Sequence, residues 1–459
     1  MAKPVATVDH MENMGPVDTV NTVEKVENVN TVETVETVET VENPRMTEAR
    51  ESGNLVMAVA FLLLIFLFGA AGLILPDRDF SAQENRYLAL SPVFSWQNIR
   101  SAAYMSAIEE YITDQFPGRD RWVSAKALFQ RVSGQKENNG VYFARDDYLI
   151  GKPQQSAAEV AERNLASVLA LVSSGYDVTL LVVPMAAEIL RDKLPAWAYT
   201  PEQADLMAML RQEAPDIFLD VTDDLVRAAS SGTQLYFRTD HHWTMAGAYA
   251  AYQAYATRLG LIPLSWVLFS ERVVSDDFYG TLWSKNSLPG LKPDRISVFE
   301  PMTGMGRGDP AADDVVEVTY FDGSSTWSVN TIYQAAYLSQ KDQYAYFLGQ
   351  NQPLAVIQTY RNSAVAHAGE AAIGQAVAYD EAGEARKLMI FKDSYAHCFV
   401  PYLLSHFDEI HLADLRYWRQ DPVAYMEEQG ISRVLFLYNA DDFSGDRSIS
   451  QIGAYLRNR

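Results

Sequence analysis

The stretch Thr239-Asp240-His241-His242-Trp243-Thr244 sets a carboxylate two residues from an imidazole. In an extended segment alternate side chains share a face, so Asp240 and His242 point together and His241 points away. A carboxylate that accepts a hydrogen bond from one ring nitrogen fixes the tautomer and leaves the other nitrogen to act as a base. The same residue types also serve as a cap for the helical stretch that follows and as histidines satisfied within a core. Such a base needs a hydroxyl, and Lys392-Asp393-Ser394-Tyr395 offers one between the apolar run KLMIF and the helical AHCFVPYLLSHF. A serine at a strand-to-helix turn lies at the carboxyl edge of a sheet, where α/β proteins build sites, with helix-start N–H groups nearby to hold an oxyanion. It also reads as a plain helix cap. If the two clusters meet, they place a serine nucleophile beside a histidine base.

Metal chemistry has less to stand on. Asp240, His241 and His242 are ligand types, but no further His or Cys lies near them, so no metal and no cofactor is expected. The single cysteine, Cys398, rules out an intrachain disulfide and a cysteine cluster. It reads as a small buried residue.

Both clusters must be positioned by a larger framework, and the pattern around them is alternating. VYFARDDYLI (141–150) reads as a hairpin turning at Arg145-Asp146-Asp147, and SAAEVAERNLASVLALVSSG as an amphipathic helix ending at Gly175. YDVTLLVVP is an apolar, β-branched run of the kind buried on both faces. Helical 201–213, strand-like 217–220, helical 244–260, strand-like 387–391, 409–414 and 433–439, and helical 421–429 continue the alternation. This predicts a mostly parallel sheet with helices on both faces. Residues 276–380 are less regular and read as a mixed insertion, since the strand-helix pattern resumes at 387.

Upstream, Leu55 to Leu75 is uncharged for 21 residues. At ~1.5 Å per residue it matches a bilayer core of about 30 Å. It is expected to be an uncleaved membrane-spanning anchor, longer than the apolar region of a signal peptide. Arg45 and Arg50 precede it, which places the short leader 46–54 in the cytoplasm and residues 76–459 outside, in a single-pass plasma-membrane protein. Before the leader, valine recurs every third residue from Val17 to Val41, a period that suits neither helix nor strand. Residues 1–45 are therefore expected to be a disordered low-complexity repeat, and Met46 opens a compact leader of its own. The net charge of −22 offers no electrostatic footprint for nucleic acid.

Read together, TDHHWT with its alanine-rich helix, and FKDSY followed by DEIHLADLRY and VLFLYN, resemble the signature blocks of the DHHW family. The resemblance extends to FSAQENRYLA (80–89), YITDQFPGRDRW (111–122), NGVYFARDDYLI (139–150), DFYGTLWSKN (277–286) and YAYFLGQNQP (344–353). It covers roughly residues 77 to 445. DHHW proteins are similar to the SGNH-like domain of the alginate O-acetylation proteins AlgJ and AlgX. The resemblance implies an SGNH-hydrolase-like, flavodoxin-like α/β fold with Asp240, His242 and Ser394 as its catalytic trio. It further implies O-acetylation or deacetylation of a cell-envelope polysaccharide, with a membrane-bound O-acyltransferase as partner. The alternative is a non-catalytic glycan-binding or scaffold protein on the same fold. Two departures stand out: the usual G-D-S is K-D-S here, and separate glycine and asparagine blocks for an oxyanion hole are missing. Gly280 and Asn439 take that role by location and residue type. Trp243 and Tyr395, with Tyr417 and Trp418, read either as a sugar platform or as core.

Overall fold

The computed structural model describes residues 44–94, 102–154, 158–198, 200–301, 316–359, 386–457 and 459. The valine repeat lies outside them. The chain divides into two units, Met1–Leu67 and Phe68–Arg459. Helix α1 (Pro44–Ile74) contains Gly53–Ile74, 22 residues of mean hydropathy 2.7 with none of its length buried. It is the one helix among the described residues long and apolar enough to cross a membrane.

The second unit is built on a seven-stranded sheet. Its strands are β1 (Asp177–Val183), β2 (Val316–Phe321), β3 (Thr326–Val329), β4 (Leu354–Thr359), β5 (Lys387–Lys392), β6 (Glu409–Ala413) and β7 (Arg433–Asn439). Their spatial order is β3-β2-β4-β6-β5-β7-β1. The pairs β6/β5, β5/β7 and β7/β1 are parallel, as the strand-helix alternation requires. The pairs β3/β2, β2/β4 and β4/β6 are antiparallel.

The sheet is therefore mixed, not mostly parallel, and residues 276–380 are the reason. They supply β2, β3 and β4 to the main sheet, and their helical pieces among the described residues are short: Thr281–Asn286 and the 3-10 turns Ala335–Ser339 and Gln343–Tyr346. Antiparallel neighbours need no helical crossover, so the described residues of this half show no strand-helix alternation of the kind that betrayed the parallel half. The strand-like 217–220 contributes only a parallel bridge, Phe218 to Leu180, on the outer side of β1. The hairpin at 141–151 forms as read, with Asp146 and Asp147 both at positive φ in its turn.

Burial follows the pattern of the parallel half. Leu388 to Phe391, Val434 to Tyr438 and Leu180 to Val183 are fully buried, so both faces of these strands are covered. Helix α2 (Met245–Arg258) buries small and aromatic residues, Ala248 to Tyr252 with Tyr255 and Ala256, against the same core. A separate antiparallel ribbon, Phe269–Phe278 with Asp294–Pro301, flanks the segment that leads into α2.

Candidate active site

Ser394 follows β5 by two residues and opens the short helical turn that begins at Ala396. The carboxyl ends of β5 and β7 lie side by side in register, and one side chain joins them. Asp393, wholly buried, accepts from the Asn439 N–H at 2.6 Å, the Asn439 Nδ2 at 2.8 Å and the Tyr395 N–H at 2.7 Å. Burial, with Asp442 nearby, nevertheless pushes its carboxyl well above the usual range.

The segment 238–243 reaches this turn from the start of α2. Asp294 fixes its approach: one carboxylate oxygen accepts from the Arg238 N–H at 2.9 Å, the other from the N–H and Oγ1 of Thr239, both at 2.7 Å. The backbone then bends, so His241 does not turn away as an extended segment would require. Its ring lies 3.8 Å from that of His242, centroid to centroid, and its Nδ1 is 2.7 Å from Thr281 Oγ1. Burial, then the adjacent His242, hold its imidazole below its ordinary value.

Asp240, His242 and Ser394 form one line of hydrogen bonds. His242 Nδ1 is 2.5 Å from Asp240 Oδ1, and His242 Nε2 is 2.7 Å from Ser394 Oγ. Asp240 is 2% exposed, and four donors surround it: His242 N–H and Nδ1–H on Oδ1, Thr281 N–H (2.7 Å) and Oγ1 (3.0 Å) on Oδ2. Burial opposes its ionisation, but the rings of His242 and His241 and these donors overcome it, leaving the carboxylate well below the usual range. The line thus runs from a buried anion to a serine that is only half-buried. Nδ1–H donating to Asp240 leaves Nε2 as the acceptor that faces the Ser394 hydroxyl.

The other residues singled out in the sequence have different tasks. Gly280 lies against Asp240: a Cβ there would fall 2.2 Å from the aspartate Cβ and 2.3 Å from Oδ2. Its N–H donates to Thr239 Oγ1 at 3.1 Å. Its place is thus to seat the carboxylate, and its N–H is not a free oxyanion donor. The Asn439 amide nitrogen donates to Asp393 and, at 3.0 Å, to Asp442, while its Oδ1 caps the helix Ala440–Gly445. Trp243 and Tyr395 are fully buried and cross-link the two clusters. Trp243 Nε1–H donates to the Tyr395 carbonyl at 2.9 Å, and Tyr395 OH donates to the His241 carbonyl at 2.5 Å. Trp418 is buried and Tyr417 half-exposed.

Three contributors escaped the sequence reading. Tyr344 stacks on His242 at 3.7 Å with the rings 9° from parallel, and its hydroxyl donates to the Ser394 carbonyl at 3.0 Å. Thr281 and Asp294 hold the two ends of the Asp240 segment. Tyr344 and Thr281 fall inside the blocks YAYFLGQNQP and FYGT, which was the available signal; Asp294 had none. The carboxylate and ring atoms of Asp240, His241 and His242 come within 4.8 Å of one another, as a metal would need. Here the Asp240 carboxylate, both ring nitrogens of His242 and the Nδ1 of His241 are engaged in hydrogen bonds with each other, Thr281 or Ser394.

A family model described as the SGNH hydrolase-like domain of acetyltransferase AlgX matches residues 139–267, which include Asp240 and His242. No curated protein sequence matches the chain. Among solved structures, a DHHW family protein from Eubacterium siraeum superposes with a TM-score of 0.52 at 21% identity, covering 70% of this chain and 96% of that one. Bacillus cereus PatB1 gives 0.52 at 20% identity, covering 66% and 97%. Its form with a sulfonyl adduct gives 0.51 at 20%, covering 67% and 98%. Residues 139–267 thus match the model of an SGNH hydrolase-like domain, and the chain shares its fold with a DHHW family protein.

Proposed function

We propose that the protein is a membrane-anchored, extracytoplasmic acyl-transfer enzyme that adds or removes O-acetyl groups on a cell-envelope polysaccharide. The observation that carries this reading is the unbroken line Asp240–His242–Ser394, ending on a half-buried hydroxyl. His242 Nε2 takes the Ser394 proton as Oγ attacks the acyl carbonyl, and Asp240 stabilises the imidazolium that forms. Collapse of the tetrahedral adduct expels the donor's alcohol, which leaves with the proton from His242. A sugar hydroxyl or water, deprotonated by the same nitrogen, then releases the acyl group. The acetyl preference is supported by the family model's description as an acetyltransferase, and the glycan by the resemblance to the alginate O-acetylation proteins. A membrane-bound O-acyltransferase is the expected acyl source, and helix Gly53–Ile74 suits a single-pass anchor.

One observation favours the non-catalytic scaffold reading. The N–H of Gly280 and the amide of Asn439, the two donors expected for an oxyanion, are both engaged elsewhere. An active-site sulfonyl fluoride separates the readings. On the enzyme reading the protein gains one sulfonyl group on Ser394 by intact mass and peptide mapping, and Ser394→Ala takes up none. Hydrolysis of a chromogenic acetate should fall about 10⁴-fold or more in Ser394→Ala. A parent protein that is neither sulfonylated nor able to turn over the acetate would overturn the enzyme reading and leave the scaffold.

A further inference from the structure

Helix α3 (Arg119–Val132) turns an apolar stripe outward. Its inner face holds Ala127, 1% exposed. Trp122, Ala125, Phe129 and Val132 share the opposite face by their spacing of three, four and three residues, with Leu128 beside them. Trp122 is 56% exposed, Phe129 71% and Val132 78%. A surface helix ordinarily places charge there, and a contiguous apolar patch of this kind marks an interaction surface. The helix is also basic, with four basic residues and one acidic in a chain of net charge −22. Arg121 and Lys126 are exposed beside the stripe.

Other contacts say what covers the stripe. Phe68, within the apolar helix, stacks on Phe116 at 5.0 Å and meets Trp122 edge-on at 6.2 Å. The residues just beyond the apolar helix are tied to the same region. Arg78 donates to Asp120 at 2.8 Å and through its N–H to Gln115 at 3.0 Å, and Tyr111 OH donates to Asp77 at 3.0 Å. Phe68 precedes Ile74 by six residues, about 9 Å along the axis. The chain leaves the apolar helix at Ile74 and is tied to this region by Asp77 and Arg78, so α3 lies only a few residues of chain from the point where that helix ends.

We infer that α3 lies in the membrane interface, its stripe against lipid acyl chains and Arg121 and Lys126 on anionic phospholipid headgroups. This rests on the membrane-anchored part of the function proposed above and is independent of the catalytic part. The test uses the full chain in nanodiscs containing phosphatidylglycerol, with an environment-sensitive fluorophore on Phe129→Cys, on Val132→Cys and, as control, on Val226→Cys, an exposed position of the helix Thr222–Ser230. Cys398 is buried, and the treated parent protein reports any background. The expected result is blue-shifted emission and quenching by spin-labelled lipid at 129 and 132, with neither at 226. Water-like emission at both positions, in protein that alkaline carbonate leaves in the membrane, overturns the docking and spares the anchor. Release by carbonate overturns both. Disulfide-linked dimers of Phe129→Cys at high lipid-to-protein ratio overturn it in favour of a second copy of this chain.

Discussion

At the scale of single residues, the site was legible where its members are close in sequence and opaque where they are not. Asp240 and His242 stand two apart, and a carboxylate beside an imidazole is a pattern that spacing alone displays. Ser394 was found because a serine after an apolar strand has a distinctive place in an α/β fold. Tyr344 carries no such mark. It lies about a hundred residues from the ring it stacks on, and an aromatic residue in an aromatic-rich stretch is ordinarily core. Gly280 was noticed for the wrong reason, because sequence shows a missing side chain and not the carboxylate that fills its place. Its backbone, at φ −83°, is open to any residue, so the requirement for glycine is steric. Gly280→Ala must push Asp240 off Thr281 or out of line with His242. On the enzyme reading proposed above, a displacement of this order should lower turnover by about 100-fold, with little change in far-UV circular dichroism. Wild-type turnover of the chromogenic acetate by Gly280→Ala would show that the Asp240 position does not matter to the chemistry.

At the scale of elements, the parallel half of the sheet could be read because each strand there is a short apolar run followed by a helix. The antiparallel half could not be ordered, since nothing local tells β4 that its neighbours are β2 and β6. The coupling between the two clusters was likewise invisible: Trp243 and Tyr395 read as core more readily than as a sugar platform, and nothing in the sequence showed their bonds across 152 residues. Those bonds hold the start of α2 against the turn after β5, which sets the distance between the His242 ring and the Ser394 hydroxyl. Trp243→Phe keeps most of the packing but leaves the Tyr395 carbonyl without its donor. Chemical denaturation should show a loss of about 1–3 kcal/mol. A loss below ~0.5 kcal/mol, the range of neutral surface changes, would mean the cross-link holds nothing in place.

At the scale of the whole molecule, the same region shapes stability against pH. Lys392 is 3% exposed, donating to Asn351 Oδ1 at 2.6 Å and to His397 Nε2 at 2.8 Å, with Asp414 3.8 Å away. Burial lowers its ammonium to about 8 despite the pull of Asp414. Below that pH the group is charged in both folded and unfolded chains, so its burial penalty is fully present. Above it the folded protein releases the proton first while the unfolded chain keeps it to about 10.4, so stability rises with pH across that window. Replacing it should remove a contribution on the order of 3 kcal/mol: unfolding free energies of parent and Lys392→Met, compared from pH 7 to 9.5, should converge as pH rises. Parallel curves would rule out the buried ammonium as their cause. A final consequence comes from the sheet order. β1 pairs along its length with β7 alone, Asp177 through Val183 against Arg433 through Asn439, more than 250 residues downstream. A chain synthesised from its N-terminus thus exposes an almost wholly apolar strand long before its partner is made. Until then it stands as a sticky segment in need of a holding chaperone or of speed.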